Sequence, residues 1–188
     1  MMEWIESIDH EIFLFINGMH HPAADTFFEF CSGTLSWIPL YALILWLLIR
    51  QFKSRVWLPV LLLVLCVVAT DQASVHLFKN VFQRYRPCHH LQIGQFVHLV
   101  NGHCGGHYGF LSSHAANTAG FAVLTSIFLK QQWLRVSLVL WVFLNMYSRV
   151  YLGVHYPSDV FAGAMLGIAI ATLLGYVQQK LIPLAPRE

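Results

Sequence analysis

The segment Ser148 to Asp159, SRVYLGVHYPSD, places an arginine, a histidine and an aspartate between two strongly apolar runs. Two further segments carry groups of the same kind: KNVFQRYRP, Lys79 to Pro87, and GFLSSHAANTAG, Gly109 to Gly120. Lys79, Arg86 and Arg149 supply fixed positive charge, Ser112 and Ser148 supply hydroxyl donors, and His114 and His155 can exchange protons or attack an electrophile. That set suits a phosphate group. Phosphoryl transfer spreads charge over the phosphate oxygens, so its catalysis is mainly positioning and electrostatic stabilisation. The arginine fork matches those oxygens geometrically. Lys79 and Arg86 are seven residues apart, so a helix reaching Arg86 and ended by Pro87 would carry both cations on one face. Ser112 is placed to cap a helix whose free amides favour an anion. Taken singly, each piece has a plainer reading: cations snorkelling to lipid head groups, or an ordinary cap beside an interfacial histidine.

Such groups need elements that bring them to one place. The chain has 188 residues, of which 57% are hydrophobic and only 11% charged, with a mean hydropathy of +0.58. A water-soluble domain carries about 25% charged residues, so a membrane is the expected setting. Five apolar spans are read, Leu35 to Ile49, Val56 to Phe78, Ser113 to Leu129, Trp133 to Val150 and Val160 to Gln179. Each approaches or reaches membrane length, and each should be helical because lipid offers no partner to free amides. The expected fold is an all-α integral membrane bundle of about five transmembrane helices in one domain, 1–188. Residues 1–34 are read as an interfacial segment. Within it Trp4, Ile8, Ile12 and Ile16 recur at helical spacing, while Glu3, Glu6, Asp9 and Glu11 fall mostly between them. With no basic start and no small-residue cleavage site, this stretch does not read as a secretory signal.

Basic residues orient the bundle. Arg50, Lys53, Arg55, Lys130, Arg135, Lys180 and Arg187 fall on one side, which is expected to be cytoplasmic. The N-terminal segment, the loop 79–112 and the turn near Val154 then face outward. Lys79, Arg84, Arg86 and Arg149 violate the bias on that outward side, which calls for a functional reason. The net charge of +2 and the lack of a basic, aromatic-interleaved run exclude a nucleic-acid partner.

KNVFQRYRP, the SSH of residues 112–114 and SRVYLGVHYPSD resemble the three signature motifs of the type-2 phosphatidic acid phosphatase family, Lys-x6-Arg-Pro, Pro-Ser-Gly-His and Ser-Arg-x5-His-x3-Asp. The first and third match at every defined position; in the second, Leu111 replaces Pro and Ser113 replaces Gly. The resemblance implies that His155 is a nucleophile forming a phosphohistidine, that Asp159 orients it, and that His114 protonates the leaving oxygen. It further implies a phosphate cradle of Lys79, Arg86, Ser112, Ser148 and Arg149, helped by backbone amides near Ser113, and a reaction without metal or cofactor. Pro157 disfavours helix at Tyr156, so the His155–Asp159 contact is expected across a turn and not as a helical pair.

The implied substrate is a lipid phosphate at the outer face of a bacterial cytoplasmic membrane. Undecaprenyl diphosphate is the preferred expectation, with phosphatidylglycerophosphate and the 1-phosphate of lipid A as alternatives. Asp71, an acid inside a span, either supports Lys79 or His76 or packs as a hydrogen-bonded residue. Gly163, Gly167, Ala171 and Gly175 form a small-residue stripe that suits close packing within the bundle, or dimerisation, so the expected state is a monomer or weak homodimer. The outer loop holds Cys88, His89, His90, His98, His103, Cys104 and His107. An oxidising exterior favours a Cys88–Cys104 disulfide over a metal site there. A metal-handling membrane protein is the competing class; it leaves the cationic cluster idle. A transporter would need repeats or broken spans.

Overall fold

The structure, a computed structural model, describes residues 2–181, and side chains from residue 6 to residue 180. The side chains of Glu3 and Trp4 and the whole of Arg187 lie outside these described residues. Helices follow the apolar runs. After α1 (Met2–Gly18) and α2 (Pro22–Ser32) come α3 (Ile38–Phe52), α4 (Trp57–Ala73), the short α5 (Asn80–Phe82), α6 (Ser113–Phe128), α7 (Gln132–Tyr151) and α8 (Pro157–Leu181). Among the described residues the only β-type pairing is an isolated antiparallel bridge between Tyr85 and Tyr108.

Among the described residues, three helical stretches are long and apolar enough to cross a membrane on their own: Leu35–Arg55, Trp57–Phe82 and Pro157–Lys180. The 16 residues of α6 rise about 24 Å, short of a hydrocarbon core of about 30 Å, and α7 carries Arg135, Asn145 and Arg149. α6 can be less apolar because it lies within the bundle, packed chiefly on α8 and also on α4 and α7, whereas α7 buries Asn145 and Ser148 on one face and leaves Leu140 and Phe143 exposed on the other. Small residues permit the approach of α6 to α8. A Cβ on Gly163 would strike the Ser112 carbonyl, and one on Gly167 the Ala116 carbonyl. The stripe on α8 is therefore used inside the bundle. The outside of the bundle is apolar instead of polar: Trp46, Leu65, Leu140, Phe143, Phe161 and Leu173 are exposed, as lipid-facing residues should be.

Two parts of the fold depart from the sequence reading. Lys79 and Arg86 do not share a helix. The span from α4 passes through a π-helical turn, Ser74–Lys79, and ends at Phe82, where Gln83 turns left-handed at φ 49°. The chain then runs extended through the Tyr85–Tyr108 bridge, so Arg86 reaches the bundle from a loop. The N-terminal segment also differs, because α1 is docked and not merely interfacial. Asp9, Phe13 and Asn17, four residues apart, are 4%, 0% and 1% exposed and face α7 and α8, while Ile12 and Phe15 point outward. Two of those three buried residues are polar, so apolar periodicity passes over them. The second helix, α2, was not foreseen.

Candidate active site

One buried cluster at the end of the bundle that carries the three motifs contains Phe13, Ala115, Val150, Tyr156 and Val160. Four of these immediately follow His114, Arg149, His155 and Asp159 in sequence. Each polar residue is thus held by an apolar neighbour locked in the core, which limits its freedom before any substrate arrives. Two backbone features shape the turn between α7 and α8. Gly153 has φ +79°, and a Cβ there would lie 2.7 Å from the His98 carbonyl, so only glycine lets the outer loop pass. Pro157 begins α8, leaving His155 and Tyr156 in the turn.

His155 is 2% exposed, and its Nε2 lies 3.3 Å from Nη1 of Arg86. The same Arg86 nitrogen donates to the Val154 carbonyl at 3.1 Å, which anchors the guanidinium beside the ring. Burial first, then the charges of Arg86, Arg149 and Lys79, hold the His155 pKa well below the usual histidine range. A neutral imidazole therefore sits against fixed cations. Its Nδ1 lies 3.5 Å from Oδ2 of Asp159 and makes no hydrogen bond. Asp159 itself, wholly buried, accepts from the Tyr156 amide at 3.0 Å and from Nη1 of Arg84 at 2.8 Å. The His155–Asp159 contact crosses the first turn of α8 as a cap-like arrangement.

The second segment starts α6. Ser112 is its N-cap, with its hydroxyl accepting from the Ala115 amide at 3.4 Å and its own amide donating to the Asp159 carbonyl at 3.0 Å. Ser113, standing where the family motif has glycine, keeps a helical start and uses its hydroxyl. Lys79 Nζ donates to it at 2.6 Å, and the Ser74 hydroxyl lies 2.6 Å away. His114 Nε2 is 3.2 Å from Oδ1 of Asn145, whose amide nitrogen donates to the Trp141 carbonyl at 2.8 Å and so fixes which atom faces the histidine.

Not every hydroxyl expected in the cradle points there. Ser148 is buried and donates to the Asn145 carbonyl at 2.7 Å, one turn back on its own helix. Arg149 Nη1 instead meets the hydroxyl of Ser32, at the end of α2. Arg86, Arg149, Ser32, Glu29, His103 and Gly105 line a cavity of about 400 Å³ that leads to the cations. Asp71 supports neither candidate by hydrogen bonding: His76 pairs with Gln72 at 3.2 Å, and Lys79 turns to Ser113.

Sequence reading missed Arg84, Asp9, Ser74, Asn145 and Ser32. Arg84 had a signal, as a cation that breaks the bias of the basic residues along the sequence; it binds Asp9 at 2.7 Å and Asp159 at 2.8 Å and lies over the Tyr156 ring at 4.2 Å. Asp9 also accepts from the Ser158 amide at 2.9 Å and from its hydroxyl. The outer loop is fastened by a Cys88–Cys104 disulfide with Cα atoms 6.3 Å apart, and by Asn17, which bonds both the amide and the carbonyl of His98. His98 in turn meets Asp25 at 2.9 Å.

Comparison with known proteins matches residues 61–183 to the PAP2 superfamily. A lipid A 4'-phosphatase from Bacteroides thetaiotaomicron is 38% identical over 183 residues, covering 96% of this chain and 81% of that protein. An undecaprenyl-diphosphatase from Sulfolobus acidocaldarius is 31% identical over 137 residues, 73% of this chain and 61% of that one. Among solved structures, a PAP2-type phosphatidylglycerolphosphate phosphatase from Bacillus subtilis superposes with a TM-score of 0.76 at 23% identity, covering 94% of this chain and 87% of that one.

Proposed function

Since the chain belongs to the PAP2 superfamily, we propose that it removes phosphate from a lipid A-type glycolipid at the outer face of a bacterial cytoplasmic membrane, through a phosphohistidine and without metal. The reaction class, a membrane lipid phosphatase, follows from the family; the substrate and the residue roles are our reading. One observation carries the mechanism: the buried, neutral His155 presents Nε2 at 3.3 Å from Arg86, where a bound phosphate would sit. A neutral nucleophile approaches an anion without the repulsion a carboxylate meets, while the cations stabilise the charge on the transferring group.

In the proposed cycle, phosphate displaces the contact of Arg86 with His155 and takes up the remaining donors of Lys79, whose ammonium Ser113 keeps aimed. His155 Nε2 attacks phosphorus, and the bond to the lipid oxygen breaks as His114 passes it a proton. Water then attacks the phosphohistidine, with His114 taking its proton, and inorganic phosphate leaves. Asn145 orients His114, and Asp159 faces the Nδ1 side of His155. The amides at the capped start of α6 add positive potential. Ser148 supports the cradle through the backbone, since its hydroxyl donates to the Asn145 carbonyl, whereas the Ser112 hydroxyl accepts at the helix cap and keeps its proton to donate. The outward placement is supported by Arg50, Lys53, Arg55, Lys130, Arg135 and Lys180, which cluster at the opposite helix ends and turns.

The lipid A reading rests on the 38% relative, which spans nearly the whole chain, α1 and α2 included. Undecaprenyl diphosphate, the substrate preferred from sequence, is the second reading; its relative matches a smaller share of the chain. The deciding experiment is phosphate release from lipid A, undecaprenyl diphosphate and phosphatidylglycerophosphate, in detergent with excess chelator, for wild type and His155→Ala. The proposal expects lipid A to be preferred, and activity to survive chelation and vanish in the variant. A preference for the prenyl diphosphate would overturn the substrate, and activity without His155 would overturn the mechanism.

A further inference from the structure

Glu6 and His10 lie one turn apart on α1, and His90 comes over them from the outer loop, two residues beyond Cys88. Their ligand-type atoms are within 4.8 Å of one another. The two imidazoles meet edge to face with centroids 4.8 Å apart. Nε2 of His10 stands 4.0 Å from Oε1 of Glu6, beyond hydrogen-bond distance, and is buried without any hydrogen-bonding partner. A buried nitrogen left unsatisfied carries a cost that calls for an explanation. Above it opens a cavity lined by Glu6, His10, Glu11, Tyr85, His90 and Gln92, through which water and ions can reach the cluster.

We infer that Glu6, His10 and His90 form a binding site for a zinc-class divalent metal ion, separate from the phosphate cradle, that clips α1 to the disulfide-bonded outer loop. Two imidazoles and a carboxylate, with water in the fourth position, are a common donor set for zinc. Tetrahedral zinc with bonds of about 2.1 Å holds its ligand atoms about 3.4 Å apart. Rotation of the Glu6 side chain, 52% exposed, supplies part of the closure. Coordination displaces one long contact, the Gln92 amide to Nδ1 of His90 at 3.3 Å. The nearby cation Arg84 is already matched by Asp9 and Asp159. The other cluster of soft ligands, Cys88, His89 and Cys104, is spent, because its two sulfurs are bonded to each other.

The position gives the ion a use. His10 follows Asp9, which holds Arg84, and its ring lies 5.1 Å from that of Tyr156, the neighbour of His155. A metal joining α1 to the loop therefore fastens the helix that carries this clamp.

The test uses the full chain in detergent, stripped by chelator and titrated with zinc alone by calorimetry. The expected result is one zinc per chain, with affinity reduced at least tenfold in His10→Ala and in His90→Ala. Zinc should also raise the melting temperature of wild type and not of either variant. Cobalt absorption on wild type keeps the test independent of variant folding: tetrahedral d–d bands without a thiolate charge-transfer band are expected. Absence of stoichiometric binding, variants that bind as tightly as wild type, or a thiolate band that moves the metal to Cys88 and Cys104 would each overturn the inference.

Discussion

Arg84 donates from Nη1 to Oδ1 of Asp159 at 2.8 Å, and from Nη2 to Asp9 at 2.7 Å, so a residue between the defined positions of the first motif joins the N-terminal helix to the acid of the third. Asp159 is wholly buried, and Arg84 is the cation that bonds it. Burial opposes charge on Arg84, but Asp159 and Asp9 together hold its pKa above the usual arginine value. Arg84 thus supplies the counter-charge on one oxygen of a carboxylate that has no water to solvate it beside His155.

Removing that cation should be costly on two counts. Arg84→Met is expected to destabilise the protein by about 3 kcal/mol, because it leaves the Asp159 charge buried without its cation. It should also lower kcat at least tenfold by loosening Asp159 against His155. Asp9→Asn, which spares the Arg84–Asp159 bond, should have the smaller effect on kcat. Thermal melting with phosphate-release kinetics on both variants checks this, and equal losses would contradict the order.

Ser113 occupies Lys79 while the cradle is unliganded, at 2.6 Å. Ser113→Ala should weaken substrate binding by about threefold to tenfold, since the ammonium loses the bond that aims it, a contribution of about 1 kcal/mol. Lys79→Ala should lose at least a hundredfold in kcat/KM, with the charge itself gone. Comparing KM and kcat separately in the two variants distinguishes aiming from charge.

The pH dependence follows from His155. Burial, then Arg86 and its neighbours, depress its pKa, and the proposed nucleophile must be neutral. The acid limb of kcat/KM should therefore lie below the ordinary histidine value of about 6.5. Stability carries the same sign. The unfolded chain takes up a proton near pH 6.5 that the folded site refuses, so stability is full above that pH and falls as pH drops towards the depressed folded value. Melting temperature measured from pH 7.5 to 5 should decline, and His155→Gln should flatten the decline.

The Cys88–Cys104 bond closes a loop with a sequence separation of 16 residues. Its removal in Cys88→Ser/Cys104→Ser is expected to cost about 3 kcal/mol through the freedom returned to the unfolded chain. Since Gly105 lies against the Arg86 guanidinium, at 3.5 Å from its Cζ for an added Cβ, activity should fall along with stability. Melting and phosphate release with and without the double substitution test the coupling.

Much of the molecule was legible without coordinates because membrane physics is severe. Lipid forces apolar spans into helices, so the runs around Leu45, Leu65 and Leu140 announce themselves, and the cations at Lys79, Arg86 and Arg149 stand out against them. The spacing of the third motif, with Pro157 inside it, likewise foretold a turn between His155 and the first turn of α8.

What the sequence could not decide was how distant pieces meet. The route from Lys79 to Arg86 depends on a π-helical turn, a left-handed Gln83 and a bridge to Tyr108, none of which has a periodic signature. The docking of α1 uses Asp9 and Asn17, polar residues that hydropathy assigns to water, because their partners Arg84, Ser158, His98 and Tyr151 lie some 75 to 149 positions away in the chain. Local composition reports which solvent a segment prefers. Only tertiary contact shows which polar groups satisfy one another out of water, and here those pairings complete the site.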